Sequence, residues 1–221
     1  EDFRPINKTT ISYGLNAIKN VGSKALETII FERKENGPYE SIFDLCSRVD
    51  QQKVNKRVIE SLVMAGALDS IEGNRFQKFS AVDDAIKYGQ QMQNESNRNQ
   101  VDMFGSAGLE DDLIKIPTLK ELPEWPEKDA LSKEKEVLGF YVSGHPLLEH
   151  SEELEEFTSV TFEDQQNLSK KDTVVVGGMI TRIVRRFDRR NREMAFFDMD
   201  CLGGHAEVIS FSDCFKSYGS L

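Results

Sequence analysis

Six groups of residues in this 221-residue chain have side chains and spacings that could do chemistry. Asp198 and Asp200, two apart in Phe197-Asp198-Met199-Asp200, would share one face of a strand, as carboxylates holding a catalytic metal do. No third ligand accompanies them, so the pair reads as a solvated strand face. His145 and His150 lie five apart without a metal-binding carboxylate pattern, and His205 follows Gly203-Gly204 in a turn. Cys46, Cys201 and Cys214 are scattered, with neither zinc spacing nor a disulfide framework, which points to a reducing compartment. Cys46 sits on an amphipathic stretch and is expected in a core. No Ser/His/Asp or Cys/His arrangement stands out, so neither a catalytic site nor a metal site is expected here.

The remaining groups suit binding. The turn Lys19, Asn20, Val21, Gly22, Ser23 and Lys24 precedes an apolar-periodic stretch, so its backbone N–H groups would open a helix. A helix N-terminus favours an anion, Gly22 admits close approach, and two lysines flank it, which suits a nucleic-acid phosphate. Alone, such a turn is more often an ordinary helix connection. A second Gly-containing turn, Ala65-Gly66-Ala67, follows the helix that Asn55 would cap, and a tandem of hairpins can straddle a duplex backbone. That second turn has no basic residue inside it and reads as more structural. Gln100, Val101, Asp102, Met103 and Phe104 place two large apolar side chains in a polar neighbourhood. They either anchor the chain in a partner's pocket or fold back on a neighbouring helix. Six arginines fall between 182 and 192 around Phe187. On a hairpin, Arg185, Arg186, Arg189, Arg190 and Arg192 with Phe187 would make a basic finger with an aromatic platform for single-stranded nucleic acid. The alternative is a solubilising tip paired with acidic residues of the same chain.

Behind these groups stand three kinds of segment. The net charge is −10, which taken whole argues against gripping nucleic acid. By segment, residues 1–80 carry 12 basic and 11 acidic side chains, 81–170 carry 8 and 20, and 171–221 carry 8 and 7. The acidity therefore lies in the middle. Short helices are predicted from Leu15 to Ile18, from Ala25 to Ile30, around Ile42–Leu45, over Lys56–Met64 and through Phe76–Ile86. The helix–turn–helix shape occurs twice, a weak internal duplication. The polar run over 90–99 reads as a linker or a frayed helix end. Beyond it the period changes: strands are predicted at 173–181, 194–200 and 206–211, in an antiparallel meander or small barrel. No apolar run reaches the roughly 18 residues a spanning helix needs, so no membrane partner is expected.

In this order the motifs resemble the C-terminal part of the bacterial DNA polymerase III alpha subunit family. Tyr13 to Gly22 resembles the start of its tandem helix-hairpin-helix domain, and Val54 to Asp69 is similar to the second half. Gln100–Phe104 resembles its internal sliding-clamp motif, Leu138 to Leu147 the approach to its OB domain, and Val174 to Phe211 that domain's opening strands. The resemblance implies an α+β multidomain chain: an all-α tandem helix-hairpin-helix domain over 1–90, an acidic connector over 91–170, and part of an OB-type barrel over 171–221. Five strands make an OB barrel, and 51 residues hold about three. It further implies duplex DNA, single-stranded DNA, the sliding clamp (beta subunit) and other replisome subunits as partners, and a bacterial cytoplasmic location. The polymerase's carboxylates and Mg2+ belong upstream of this region, so no cofactor is expected in it. An error-prone relative of the subunit and a stand-alone DNA-repair module are the alternatives. Where the family often has a Gly-containing turn, this chain has Arg189-Arg190-Asn191-Arg192.

Overall fold

The structure, a computed structural model, describes residues 3–101, 115–160, 169 and 173–220, at 96–101 the backbone alone. The chain divides into two compact units, Glu1–Ser143 and Gly144–Leu221. The first is helical and the second holds a three-stranded antiparallel sheet, so the chain has the expected α+β organisation.

In the N-terminal unit, β1 (Arg4–Pro5) pairs with β2 (Ile11–Ser12), and five helices follow. They are α1 (Ser23–Asn36), α2 (Ile42–Arg48), α3 (Lys56–Met64), α4 (Arg75–Val101) and α5 (Glu127–Leu138). Their apolar stripes meet in one core, where Leu26, Ile42, Leu45, Ile59, Val63 and Ala85 are fully buried. Burying a large aliphatic side chain contributes about 1.5–3 kcal/mol. Cys46 belongs to this core, and burial pushes its thiol up to about 12. Ser41 and Asn55 cap α2 and α3, accepting from the N–H groups of Asp44 (3.1 Å) and Val58 (3.2 Å). α3 closes where Gly66 takes φ +74° and the Ala67 N–H reaches back to the Leu62 carbonyl at 2.9 Å.

Two sequence expectations change in this unit. Leu15 to Ile18 forms only a 3-10 turn, Leu15–Ala17, because Ile18 is already extended and drops into the core. The polar run at 90–99 is helix, since α4 continues to Val101. Gln93 helps to seat it, donating to the carbonyls of Ser47 (3.3 Å) and Val49 (2.7 Å). Residues 115–143 of the acidic segment fall within the helical unit.

A charged cluster ties α4 and α5 to the 66–74 turn. Arg75 meets Asp69 through Nη2 at 2.7 Å and Glu134 through Nη1 at 3.2 Å. Glu134, 1% exposed, also accepts from the N–H groups of Val142 (2.6 Å) and Ser143 (2.8 Å) and the Ser143 hydroxyl (2.7 Å). Burial pushes its carboxyl up, but the hydrogen bonds from Ser143, Val142 and Arg75 outweigh this and hold it below the ordinary value. Lys78 is buried as deeply and donates to the carbonyls of Leu68 (2.8 Å) and Ile71 (3.3 Å).

In the C-terminal unit a 3-10 turn (Pro146–His150) leads into α6 (Ser151–Phe157). The meander β3 (Met179–Phe187), β4 (Glu193–Cys201) and β5 (Gly204–Ser210) follows, then α7 (Ser212–Tyr218). The first strand lies later than the β-branched run at 173–181 predicts. It begins at Met179, breaks register between Ile180 and Arg182, and continues to Phe187. Ile183 and Val184 supply β-formers within the arginine-rich stretch, so only 188–192 remains as turn. Among the described residues the sheet does not close into a barrel, consistent with a partial OB-like domain.

Glu134→Ala removes the acceptor of Arg75 Nη1, of the Val142 and Ser143 N–H groups and of the Ser143 hydroxyl, while Arg75 keeps Asp69. Urea unfolding is expected to show a loss of about 1–3 kcal/mol. Because the folded carboxyl titrates below its ordinary value of 4.5, its contribution is present above that value and lost as pH falls through the lowered one. Glu134→Gln should therefore flatten the acid limb of the stability profile.

Candidate nucleic-acid interface

Backbone geometry builds the first hairpin. The Val21 N–H returns to the Ile18 carbonyl at 3.1 Å, and Asn20 takes a left-handed φ of +68°. Asparagine tolerates that region better than most residues. Asn20 is also held in place: its Nδ2 donates to the buried Ser61 hydroxyl at 3.2 Å. The Lys19 N–H donates to the Val137 carbonyl of α5 at 2.9 Å. Val21 is buried, whereas Lys19, Asn20, Gly22, Ser23 and Lys24 are exposed. Gly22 is the N-cap of α1, its carbonyl accepting from Ala25 and Leu26 (3.1 and 3.2 Å), and no side chain caps the helix there. Space around Gly22 is open, with nothing within 4 Å of where a Cβ would stand. The hairpin thus presents an uncapped positive helix end between two exposed lysines, with neither Lys19 nor Lys24 ion-paired among the described residues. This arrangement suits a backbone phosphate.

The second hairpin differs. Asn74 and Gln77 cap each other reciprocally at 2.8 Å at the start of α4. The Glu124 carboxylate accepts from the Arg75 N–H (2.9 Å) and the Phe76 N–H (3.1 Å). The sequence reading missed Glu124, Arg75 and Glu134 as partners. Asn74-x-x-Gln77, a capping-box spacing, was the local signal of this helix start. Nothing local in the sequence links it to residues 48 to 59 positions away.

The arginines divide. Arg182 and Arg186 share one sheet face, opposite Asp198 and Met194, while Arg185 lies on the other, beside Glu193 (3.7 Å) and over the Phe215 ring (5.6 Å). Asp188 organises the tip: it accepts from the N–H groups of Arg190 (2.8 Å) and Arg192 (2.9 Å) and the Ser212 hydroxyl (2.9 Å). Led by the Arg192 N–H, these bonds draw its carboxyl down to about 2. Asn191 takes the left-handed φ of +55° that a glycine would otherwise supply. Arg192 is paired with Asp188 (2.9 Å) and Asp213 (2.8 Å), so it fastens the tip to α7. Arg186, Arg189 and Arg190 are exposed and have no ion pair among the described residues, and Phe187 is 68% exposed.

The clamp-like peptide is only partly visible. Gln100 and Val101 end α4, and Asp102, Met103 and Phe104 lie outside the described residues. Asp198 and Asp200 share a strand face, but Asp200 is buried instead of solvated, because β5 covers it: His205, in that strand and not in a turn, sits opposite with its ring 3.2 Å from the carboxylate. Among the described residues no three His, Cys, Asp or Glu side chains are grouped to hold a metal. Among them, too, no helix is long and apolar enough to cross a membrane.

Residues 1–78 match the family model of the helix-hairpin-helix motif. The whole chain aligns with longer proteins. It is 34% identical over 216 residues to the DNA polymerase III subunit alpha of Vibrio cholerae serotype O1, covering 98% of this chain and 19% of that protein. It is 33% identical over 221 residues to the subunit of Buchnera aphidicola, covering 100% and 19%. With the Escherichia coli K12 subunit it shares 32% over 212 residues, covering 96% and 18%. Its homologues are DNA polymerase III alpha subunits. The chain spans about a fifth of the length of these alpha-subunit relatives.

Asn20 carries both the left-handed turn and the tie to α3. Asn20→Ala is expected to lower stability by about 1–2 kcal/mol in thermal unfolding, and Asn20→Gly by less, since glycine keeps the turn.

Proposed function

We propose that this chain is the DNA-holding region of a bacterial replicative polymerase III alpha subunit. In this reading the first hairpin grips the duplex backbone through Gly22–Lys24 and Lys19. The β3 face that carries Arg182 and Arg186, with Arg189 and Arg190 at the hairpin tip, meets single-stranded template, while Phe187 lies on the opposite face with Arg185. Gln100, Val101, Asp102, Met103 and Phe104 tether the sliding clamp. What carries the reading is the uncapped, lysine-flanked helix end at Gly22, within a chain homologous along its length to alpha subunits.

The chemistry fits a holding role. Backbone N–H groups and lysines recognise phosphate without reading bases, as a replicative enzyme crossing every sequence requires. A short clamp-binding peptide need not bind tightly. With DNA held by the same chain, the second attachment forms at high effective concentration, and modest affinities combine into durable binding.

Lys19→Ala with Lys24→Ala is expected to weaken duplex binding equally across sequences. The slope of log K against log salt should become shallower by about 0.9 for each phosphate the variant no longer neutralises. Met103→Ala with Phe104→Ala is expected to abolish heat of binding to a bacterial sliding clamp while duplex binding persists. Clamp affinity unchanged in that variant would remove the peptide from the reading.

A further inference from the structure

The two hairpins of the tandem end differently, and the difference lies in what occupies their helix N-termini. At α4, every N–H of the first turn already has an acceptor. Glu124 takes those of Arg75 and Phe76, and the Asn74 side chain takes that of Gln77 at 2.8 Å. A carboxylate there presents the same charge sign and the same pair of oxygens that a backbone phosphate would. We infer that Glu124 closes the second hairpin to DNA as an internal substitute for phosphate, so that the duplex backbone engages the tandem at the first hairpin.

Glu124 is not an isolated surface residue. It belongs to a strap, residues 119–125, laid across the α4 end. Asn74 Nδ2 donates to the Leu122 carbonyl (2.8 Å) and Gln77 Nε2 to the Lys120 carbonyl (3.0 Å). The Leu119 side chain fills the space beside Gly73, where a Cβ would collide with it. The Trp125 ring packs against Phe76 (5.8 Å) and Phe79 (5.4 Å), and the Lys133 ammonium lies over it at 4.9 Å. A tethered carboxylate so placed competes with any external anion at high effective concentration. Charge points the same way: the 65–74 turn contains Asp69 and Glu72 and no lysine or arginine. At the first hairpin no side chain caps the helix, and Lys19 and Lys24 flank it.

This inference rests on the duplex-binding reading of the first hairpin, and the test separates the two. A labelled duplex is titrated over a salt series with the intact chain and with Glu124→Gln, Glu121→Gln and Lys19→Ala/Lys24→Ala. Backbone amide shifts of Arg75 and Phe76 are followed in the intact chain and in Glu124→Gln. Glu121 lies exposed on the same strap, so Glu121→Gln makes the same charge change away from the helix end. The expected result is tighter binding by Glu124→Gln than by Glu121→Gln, with a salt slope steeper by about 0.9 per additional phosphate engaged. DNA should shift the Arg75 and Phe76 amides in Glu124→Gln and leave them in place in the unsubstituted chain. Equal binding by the two glutamine variants overturns the inference. So do Arg75 and Phe76 amides that already respond to DNA in the unsubstituted chain, a readout needing no variant to fold. Undiminished binding by the double lysine variant instead overturns the reading of the first hairpin, whatever Glu124 does.

Discussion

A guanidinium held between two carboxylates sets the terms for the N-terminal unit. Arg75 reaches Asp69 on the turn below it and Glu134 on a helix that follows it by 59 positions. Glu134 and most of Arg75 are removed from water, while Asp69 stays exposed. That removal costs several kcal/mol per buried ion, recovered only when the geometry and the surrounding hydrogen bonds are complete. The cluster therefore forms as a whole: the Gly66 turn, the start of α4, α5 and the Val142–Ser143 backbone are all needed to satisfy it. Residues 115–143 of the acidic stretch, which composition alone marks as a connector, belong to the folded unit for this reason.

The consequence reaches the first hairpin. Val137, one turn along α5 from Glu134, accepts the Lys19 N–H, and its side chain sits in the common core. From the other side, Ser61 of α3 holds the Asn20 side chain. Two helices, α5 and α3, thus fix the loop from either side. A binding loop supported this way keeps its N–H groups aimed before DNA arrives, which lowers the ordering cost of association.

Much of this was legible in the sequence, and the boundary is a physical one. Local signals were readable: Asn55 as a cap, Cys46 in an apolar stripe, alternation in β4 and β5, glycine at the close of α3. Where local preference and tertiary context disagree, the sequence misleads. The β-branched run at 173–176 lies outside any strand, while a stretch crowded with arginine pairs along its length with β4. The hairpin tip is a further instance. Six arginines look interchangeable in sequence, yet Asp188 and Asp213 fasten Arg192 to the fold while Arg189 and Arg190 stay exposed. Partners far apart in the chain, such as Asn74 with Leu122 or Arg75 with Glu124, leave no periodicity to read.

The placement of the clamp-like peptide has a mechanical side. The span 102–114 leaves from the last turn of α4 and re-enters at residue 115, ahead of the strap, and both attachment points belong to the helical unit. A force applied at either end of that span would enter α4 or the strap, and from there the core shared with the first hairpin. The junction at Ser143–Gly144 lies outside that circuit.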